Sequence, residues 1–361
     1  MKPTDGFRSA ELVDTLASRL KKTVQKPVKV MEVCGSHTMS IFHHGIRELL
    51  PDKLQLLSGP GCPVCVTPQD YIDSAIDLAQ NSEVILTSFG DMLRVPGAKG
   101  SLSQQKAAGR DIRVLYSPLD ALEIAAANPQ RQVVFLGVGF ETTAPVVALA
   151  IQAAAERNLA NFSVFSAHKL VPPAMEALCL DSGLQVDGFL CPGHVSIVIG
   201  LAPYRFLSEK YQKPAVIAGF EIVDILHGLL LIAEMLEQGK PATINAYSRA
   251  VADEGNPAAR QIIESVFTPT DSVWRGLGQI VHSGLRIRPE YRRFDAAVRF
   301  ELKEAAQQTP NGCRCGDILR GAITPPQCPL YKKACTPQAP LGACMVSSEG
   351  ACAAYYKYSI D

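Results

Sequence analysis

The sequence predicts an α/β protein with two similar lobes, each a parallel β-sheet flanked by helices, plus a cysteine-rich C-terminal domain. β-branched apolar runs alternate with small-residue turns and with Ala- and Leu-rich helical patterns, which is typical of βαβ units. The apolar runs are almost continuously hydrophobic, as expected of parallel strands that are covered on both faces. With 361 residues, the chain is long enough for two or three domains.

Eight runs are predicted to be strands, four on each side of the Asn128-Pro129 break. They are Val28 to Val33, Leu54 to Leu57, Val84 to Thr87, Ile112 to Tyr116, Val133 to Val138, Phe162 to Phe165, Gly188 to Leu190 and Ala215 to Ala218. We therefore expect a first lobe over residues 1–128 and a second over residues 129–239. Closure of the eight strands into one barrel is the less favoured alternative.

Residues 240–361 are predicted to form a third, helical and cysteine-rich domain. A helical pattern covers Pro257 to Phe267, and the segment from Cys313 is rich in Cys, Pro and Gly with little periodicity. Such a segment needs something other than a large apolar core to order it, and a bound cofactor is the obvious choice.

Charge and composition exclude several classes of function. Lys plus Arg (35) balance Asp plus Glu (35), so no basic surplus is available for nucleic acid. The N-terminus lacks the apolar region of a signal peptide, and the most apolar stretch, Ile222 to Leu236, is interrupted by charged residues. We therefore expect a cytoplasmic protein without a membrane span. In that compartment the eleven cysteines point to metal ligation and redox chemistry rather than to structural disulfides.

Six of these cysteines crowd the C-terminal segment. Four thiolates suffice for a [4Fe-4S] cluster or a structural zinc, which leaves two thiols that can form a reversible disulfide. Zinc ribbons usually show paired C-x-x-C knuckles, whereas the intervals here are irregular. The segment therefore favours an iron-sulfur cluster, with a zinc knuckle as the alternative. The six are Cys313, Cys315, Cys328, Cys335, Cys344 and Cys352.

A C-x-x-C motif at Cys62 and Cys65 precedes a predicted helix, with Thr67 as the expected N-cap and Pro68 as the first helical residue. A helix N-terminus stabilises thiolates, and the spacing lets the two sulfurs close a small disulfide ring. The motif therefore predicts thioredoxin-like redox chemistry, and half of a metal site is the alternative.

Three further turns lie at the ends of predicted strands, where open parallel sheets bind ligands. Cys34 ends the first predicted strand and has His37 nearby, so it is a candidate thiolate ligand or nucleophile, with a buried structural thiol as an equal alternative. Glu141 and His194 lie in the other two turns, where they offer polar groups or simply cap the turns.

Other cofactor classes lack their motifs. Gly137-x-Gly139 is not followed by the third glycine or the acidic residue of a dinucleotide fingerprint, and the sequence has no P-loop. It also has no C-x-x-x-C-x-x-C motif, which excludes a radical S-adenosylmethionine cluster of that type. Cys179 and Cys191 are interpreted as structural thiols.

Five motifs occur in one order along nearly the whole chain. They are Glu32-Val33-Cys34-Gly35-Ser36-His37-Thr38, Gly59-Pro60-Gly61-Cys62-Pro63-Val64-Cys65, Gly139-Phe140-Glu141-Thr142-Thr143-Ala144-Pro145, Pro192-Gly193-His194-Val195-Ser196, and the cysteine-rich tail that continues to Tyr358. Together they resemble the HypD family of hydrogenase maturation factors. This resemblance implies a redox-active scaffold on which the Fe(CN)2CO moiety of [NiFe] hydrogenases is assembled.

The resemblance also implies roles for individual residues. Cys34 would hold the iron, Cys62 and Cys65 would be the redox pair, and His194 with Glu141 would line the cleft between the lobes. The implied ligands of a [4Fe-4S] cluster are Cys313, Cys328, Cys335 and Cys352, with Cys315 and Cys344 as the spare pair. Soft thiolates suit an iron that carries CO and cyanide. Electrons would pass from the cluster through a disulfide relay toward Cys34.

Two partners are implied by the same resemblance. A small HypC-like chaperone would share the iron, and a HypE-like protein would deliver cyanide, made from carbamoyl phosphate, as a thiocyanate on its C-terminal cysteine. Two other hypotheses stay open at this point. One is an iron-sulfur-dependent thiol-disulfide oxidoreductase, and the other is a zinc-stabilised α/β binding module.

Overall fold

A computed structural model describes residues 9–181, 183–302 and 312–358. Within these ranges, eleven strands form three sheets. The strands are β1 (Val28–Glu32), β2 (Leu54–Ser58), β3 (Val84–Ser88), β4 (Ile112–Val114), β5 (Gln132–Gly137), β6 (Phe162–Ser166), β7 (Gly188–Pro192), β8 (Ala215–Ala218), β9 (Thr243–Asn245), β10 (Phe267–Trp274) and β11 (Gly278–Ile287). All eight strands predicted from the sequence are confirmed.

Two open parallel sheets form the framework, as predicted. One has five strands in the order β2-β1-β7-β8-β9, and the other has four in the order β4-β3-β5-β6. Every pairing within both sheets is parallel. The alternative of a single closed barrel is therefore wrong.

The strands do not divide between the sheets at the Asn128-Pro129 break, so the expected grouping of four before and four after it is wrong. The chain leaves the five-stranded sheet after β2, builds the four-stranded sheet from β3 to β6, and then returns with β7. The return is required because β1 needs a second neighbour, which β7 provides in the register Val30↔Gly188. The Asn-Pro break is only the turn before β5.

The two lobes share one strand order. In the structure, the first lobe is built on the five-stranded sheet and the second lobe on the four-stranded sheet. When the strands of each sheet are numbered in chain order, both sheets have the spatial order 2-1-3-4, and the five-stranded sheet adds a fifth strand at the end. The equivalent third strands are β5 and β7, so the turns that carry Glu141 and His194 occupy corresponding places. The tripeptide Gly-Phe-Glu occurs twice, as Gly139-Phe140-Glu141 after β5 and as Gly219-Phe220-Glu221 after β8, which are not equivalent strands.

Helices flank the two parallel sheets. They are α1 (Ala10–Thr23), α2 (Gly35–His43), α3 (Ile46–Leu49), α4 (Pro63–Val66), α5 (Gln69–Gln80), α6 (Leu102–Ala107), α7 (Asp120–Ala127), α8 (Ala144–Glu156), α9 (Val171–Leu180), α10 (Gly193–Ile199), α11 (Arg205–Glu209), α12 (Ile222–Gln238), α13 (Pro257–Val266), α14 (Ala296–Arg299), α15 (Cys315–Leu319), α16 (Ala343–Val346) and α17 (Ala351–Tyr358). The helix predicted from Pro257 is confirmed as α13. None of the helices in the described ranges has both the length and the apolar character needed to cross a membrane.

Local sequence explains where the longest helix begins and ends. The backbone N–H of Glu221 donates to the carboxylate of Asp224, so a capping box opens α12. Gly239 ends the helix in the left-handed conformation, with φ of 62°. The apolar face of α12 packs with α1 against the five-stranded sheet.

The antiparallel hairpin of β10 and β11 was not predicted. Pro269 lies within β10, Gly284 lies within β11, and a register shift separates Thr270 from Ser272, so no clean alternation is visible in the sequence. The hairpin packs beside β6, where the backbone N–H of Leu285 donates to the His168 carbonyl. It therefore extends the second lobe toward the C-terminal segment.

Candidate functional site

Cys34 and His194 lie at the point where the strand order of the five-stranded sheet reverses. Cys34 follows β1 and His194 follows the neighbouring strand β7, and the carboxyl ends of these strands bound the crevice where open α/β sheets bind ligands. Nδ1 of His194 lies 3.4 Å from Oγ of Ser36. The His194 ring stacks on Phe220 at 4.1 Å while part of it is exposed to solvent, and its partial desolvation lowers its pKa.

Burial dominates the electrostatics around Cys34. It raises the pKa of the Cys34 thiol to about 12, against the opposing effect of the backbone N–H groups of His37 and Ser36. The neighbouring Glu32 is fully buried, and burial raises its pKa to about 7. Its carboxylate accepts hydrogen bonds from the Cys34 backbone N–H at 3.0 Å and from the Thr38 hydroxyl at 2.5 Å. Burial therefore keeps the Cys34 side chain in its protonated thiol form at neutral pH.

His37 fixes the helix that follows Cys34. Its Nε2 lies 2.9 Å from the Gly219 carbonyl and 3.2 Å from the Ala218 carbonyl. Burial lowers the pKa of His37 to about 4, so the ring is neutral and Nε2 carries the proton that it donates. His37 thereby holds α2 against the end of β8.

The C-x-x-C motif forms a helix of its own. Cys62 is the N-cap of the one-turn helix α4, and its sulfur accepts a hydrogen bond from the Cys65 backbone N–H at 3.2 Å. Thr67 is not the N-cap of the next helix, because its hydroxyl donates back to the Pro63 carbonyl and Pro68 takes that position.

The thiol of Cys65 is not activated by its helix. Burial, followed by hydrogen bonds to the Cys344 and Cys62 thiols, raises the pKa of Cys65 well above its usual value. The expected stabilisation of a thiolate by the helix N-terminus is therefore outweighed at this residue.

Gly61 brings the C-x-x-C motif against Cys34. The Gly61 carbonyl accepts a hydrogen bond from the Gly35 backbone N–H at 2.9 Å. A Cβ atom at Gly61 would lie 2.2 Å from the Cys34 backbone nitrogen, which no neighbouring side chain could relieve by moving. The structure thus brings together two motifs that are separated in the sequence.

All six C-terminal cysteines line one small cavity. The other lining residues are apolar or aromatic: Ile318, Leu330, Tyr331, Gly342 and Met345. Burial raises the pKa of Cys352, and the surrounding thiols Cys313, Cys335, Cys315 and Cys328 raise it further, which confirms how closely these sulfurs gather.

Cys344 connects this sulfur cavity to the C-x-x-C motif. Hydrogen bonds from the Cys315 and Cys65 thiols lower the pKa of Cys344. A series of neighbouring thiols therefore runs from Cys62 through Cys65 and Cys344 to Cys315. Cys344 is the thiol of this series whose pKa is lowered, and a lowered pKa favours the thiolate form that takes part in thiol-disulfide exchange.

Glu349 is a site residue that the sequence analysis missed. Its Oε1 accepts a hydrogen bond from the Ser36 hydroxyl at 3.0 Å, and a Cβ atom at Gly35 would lie 2.4 Å from the Glu349 Cβ. Burial raises the pKa of this carboxyl. No local pattern marks Glu349, since its partner lies 313 residues earlier in the chain.

The cysteine-rich segment also contacts the second lobe. The Ser347 hydroxyl lies 3.3 Å from an Asp91 carboxylate oxygen, and the Arg94 guanidinium donates to the Val346 carbonyl at 3.2 Å. Asp91 and Arg94 belong to the turn that follows β3. The segment between Cys344 and Cys352 therefore rests on both lobes.

Glu141 is buried at the corresponding edge of the second lobe. One carboxylate oxygen accepts a hydrogen bond from the Val171 backbone N–H at 2.9 Å, at the start of α9. The other oxygen has no hydrogen-bond partner among the described residues. Burial raises the pKa of Glu141 to about 7. Glu141 therefore caps a helix, and both Glu141 and Cys34 lie within electrostatic range of the buried Tyr204.

The donor chemistry of the sulfur cavity fits an iron-sulfur cluster. Six thiols in an apolar setting offer the four thiolates that a [4Fe-4S] cluster needs, and the Cys335 sulfur already accepts a hydrogen bond from the Leu341 backbone N–H at 3.4 Å. Among the described residues, no group of three or more His, Cys, Asp or Glu side chains is already drawn together around a single-ion site.

A larger cavity than the sulfur cavity lies elsewhere in the described ranges. It has a volume of about 620 Å³ and opens between the end of β6 and the β10–β11 hairpin. It contains none of the site residues predicted from the sequence. Its most unusual group is Lys169, whose pKa is lowered to about 7 by burial and whose ammonium donates to the Val273 carbonyl at 2.9 Å.

Comparison with known proteins gives one consistent result. A family model described as "HypD: Hydrogenase formation hypA family" matches residues 11–359. The chain is 51% identical over 348 residues to "Hydrogenase maturation factor HypD" of Rhodobacter capsulatus, which covers 95% of this chain and 92% of that protein. It is 45% identical to the protein of the same name in Escherichia coli (strain K12), over 99% of this chain and 98% of that protein. A third relative, "Hydrogenase expression/formation protein HupD" of Azotobacter chroococcum, is 46% identical over 99% of this chain.

Proposed function

The chain belongs to the HypD family, and from this premise we propose that it is a hydrogenase maturation factor that holds iron through Cys34 while the Fe(CN)2CO moiety of [NiFe] hydrogenases is assembled. One observation carries this proposal. Cys34 lies where the strand order of the five-stranded sheet reverses. Gly61 of the C-x-x-C motif packs against the Cys34 backbone, and Glu349 of the cysteine-rich segment packs against the neighbouring Gly35.

Cys34 suits an iron cargo because a soft thiolate binds low-valent iron that carries CO and cyanide better than a carboxylate does. Its buried thiol must lose a proton when iron binds, and Glu32 is the nearest buried acid whose pKa lies near neutrality. The exposed His194 and the half-buried Ser36 line the approach to Cys34 and offer polar contacts to the cyanide ligands.

A resident [4Fe-4S] cluster is proposed for the sulfur cavity. Cys313, Cys328, Cys335 and Cys352 would hold it, which leaves Cys315 and Cys344 as a thiol pair beside it. When bound, the cluster supplies single electrons. A colourless preparation that contains zinc, without iron or acid-labile sulfide, would contradict this assignment.

The C-x-x-C motif is proposed to supply the electrons for cyanide transfer. Release of cyanide from a thiocyanate breaks its sulfur-carbon bond and consumes two electrons. The Cys62 and Cys65 thiols provide them by forming one disulfide, which leaves the donor as a thiol and releases cyanide and one proton. Iron on Cys34 then takes up the cyanide beside the motif.

Cys344 is proposed to regenerate the dithiol. Its thiolate attacks the Cys65 sulfur and releases the Cys62 thiol, and Cys315 then resolves the mixed disulfide. The products are a reduced C-x-x-C motif and a Cys315–Cys344 disulfide, whose reduction takes two electrons and two protons. The hydrogen bonds of Cys344 to both Cys65 and Cys315 support this order.

The assembly is proposed to take place in the cytoplasm with two partners. A small HypC-like chaperone would share the iron, and a HypE-like protein would bring the thiocyanate. A reducing compartment keeps the eleven thiols available, and all eleven are free in the structure.

Complementation tests the proposed function. A bacterial strain that lacks its HypD-type factor is supplied with wild type, Cys34→Ala or Cys179→Ala. Wild type and the Cys179 variant are expected to restore hydrogenase activity, since Cys179 is a partly buried thiol of α9 outside the site. The Cys34 variant is expected to restore none, and restoration by it at the wild-type level of folded protein would refute the proposal.

The second candidate function is an iron-sulfur-dependent thiol-disulfide oxidoreductase. The low pKa of Cys344, in contact with both Cys65 and Cys315, favours it as a component activity. The two functions separate at Cys34, because a disulfide reductase does not need a third thiol at a strand end. Retention of hydrogenase maturation in Cys34→Ala would favour the oxidoreductase.

A further inference from the structure

Arg275 is a buried cation that the proposed function does not use. It lies in the turn between β10 and β11, and only 2% of its surface is exposed. Its backbone N–H donates to the Val66 carbonyl at 2.8 Å, and its Nε donates to the Thr67 carbonyl at 2.7 Å. Arg275 therefore binds the end of the helix that carries the C-x-x-C motif.

The same turn lies directly against the cysteine-rich segment. Gly276 has φ of 79°, and a Cβ atom there would lie 2.3 Å from the Cα of Gly316. This close approach places Arg275 within electrostatic range of the Cys313 and Cys315 sulfurs, whose ionised forms it favours. The guanidinium thus lies between the C-x-x-C helix and the sulfur cavity.

Both terminal guanidinium nitrogens of Arg275 are buried and have no hydrogen-bond partner among the described residues. A buried charge without a counter-charge is strongly destabilising, and guanidinium cannot lose its proton to avoid that cost. A [4Fe-4S] cluster with four thiolate ligands is an anion, as is any thiolate of the neighbouring pair. Such an anion would supply the missing partner.

We propose that Arg275 is the counter-charge of the sulfur cavity and that it sets the reduction potential of the centre bound there. The inference rests on the proposed function. Arg275 is a positioning residue, because it acts through the sulfurs and not on the iron cargo. A fixed positive charge stabilises the reduced, more negative state, so it raises the potential.

The test is a redox titration of full-length protein purified anaerobically with its iron-sulfur cofactor, followed by electron paramagnetic resonance. Arg275→Gln and Arg275→Met remove the charge, and Arg275→Lys keeps it. We expect both neutral variants to reduce the equilibrium constant for reduction at least tenfold, which corresponds to about 59 mV for a one-electron couple. The lysine variant should stay within threefold of wild type.

Arg288→Gln is the matched control. Arg288 follows the other end of the same hairpin, where its Nε donates to the Glu264 carbonyl at 2.7 Å and the Phe267 carbonyl at 3.1 Å. Its loss removes a guanidinium and two backbone contacts of the same kind, so the potential should not change. A neutral Arg275 variant that holds its cluster at the wild-type potential would overturn the proposal.

A second measurement covers neutral variants that fold without holding the cluster. The equilibrium between the Cys315 and Cys344 thiols and their disulfide is measured in glutathione buffers by trapping and mass spectrometry. Loss of the charge should disfavour reduction tenfold, about 30 mV for this two-electron couple, and an unchanged equilibrium would overturn the proposal. Absence of iron and sulfide from wild type would refute the proposed cofactor alone, since the thiol equilibrium still decides the role of Arg275.

Discussion

Glu32 shows how a buried carboxyl beside the proposed iron ligand makes stability depend on pH. Burial raises its pKa from 4.5 to about 7, so the folded chain binds the proton more tightly than the unfolded chain does. The stability that the protonated Glu32 contributes is therefore present below pH 4.5 and is lost as pH rises to about 7. The loss amounts to about 3 kcal/mol in the free energy of unfolding.

Glu32→Gln should remove this part of the pH dependence. We expect the free energy of unfolding of wild type, measured relative to that of the variant, to fall by about 3 kcal/mol between pH 5 and pH 8. This difference isolates Glu32, because Glu141, His37 and Lys169, whose pKa values are also shifted, titrate alike in both proteins. Urea unfolding at pH 5 and pH 8 measures these free energies of unfolding. Glu48→Gln is the control, because Glu48 is exposed and its replacement should leave the pH dependence unchanged. Equal pH dependence in wild type and Glu32→Gln would contradict the explanation.

Gly61 allows a second prediction at the residue scale. Gly61→Ala places a Cβ atom against the Cys34 backbone, so we expect a loss of about 1–3 kcal/mol in the free energy of unfolding and separation of the two motifs. Gly90→Ala is the control, because a Cβ there would meet nothing closer than 3.6 Å. Chemical denaturation measures both, and equal stability of the two variants would show that the close approach is not needed.

Among single residues, the sequence identified those with distinctive chemistry. Cys34 was recognisable as a thiol at a strand end, and the C-x-x-C motif by its spacing. Glu349 and Arg275 were not recognisable, because their importance comes from contacts made across the fold. An isolated acid or arginine in the sequence resembles any solvated side chain.

At the scale of elements, we expect the cysteine-rich segment to depend on its thiols for order. α15, α16 and α17 have only five, four and eight residues, and each has one buried cysteine. Such short helices are marginal without tertiary or metal-ligand contacts.

Removal of the proposed cluster should therefore loosen this segment selectively. After anaerobic chelation of iron, we expect amide hydrogen exchange to increase across residues 312–358, whereas the central strands β1 and β7 keep their protection. Hydrogen exchange measured by mass spectrometry provides the check. Unchanged exchange in the segment would show that its own packing suffices to order it.

The elements that the sequence predicted are those with uniform patterns. The eight predicted strands are mostly apolar runs, and β8 was predicted with its exact bounds, Ala215–Ala218. The β10–β11 hairpin was missed because one face of each strand is partly exposed and Pro269 interrupts the pattern. Thr67 was assigned as an N-cap because its sequence context fits one, whereas its hydroxyl bonds back to Pro63.

At the scale of the whole molecule, the chain completes its first sheet only after building the second. β1 and β2 come before the four-stranded sheet in the sequence, and β7, β8 and β9 come after it. The five-stranded sheet is therefore assembled from segments on both sides of the second lobe. Its central pairing, β1 with β7, joins Val30 to Gly188, and the whole four-stranded sheet lies between these two residues in the sequence.

A fragment of residues 1–128 should therefore fail to fold. It would keep β1 and β2 without their partner β7, and β3 and β4 without β5, which exposes long apolar edges. We expect no cooperative unfolding transition by circular dichroism and strong aggregation. A soluble fragment with a cooperative transition would support residues 1–128 as an independent domain.

The sequence predicted two similar lobes but not which strands each lobe contains. Periodicity reports whether a strand is buried on both faces, and it carries no information about the identity of its neighbour. The site at the strand-order reversal depends on that missing information, since Cys34 and His194 lie at the ends of neighbouring strands only because β1 pairs with β7. The candidate residues were therefore predictable, and their convergence was not.

Infrared spectroscopy of the protein copurified anaerobically with its maturation partners tests the central claim most directly. If Cys34 holds the iron, wild type shows iron-bound CO and cyanide bands, Cys34→Ala lacks them while it keeps its iron-sulfur absorbance, and the buried control Cys191→Ala retains both. Cyanide and CO bands of wild-type intensity in Cys34→Ala would contradict the account.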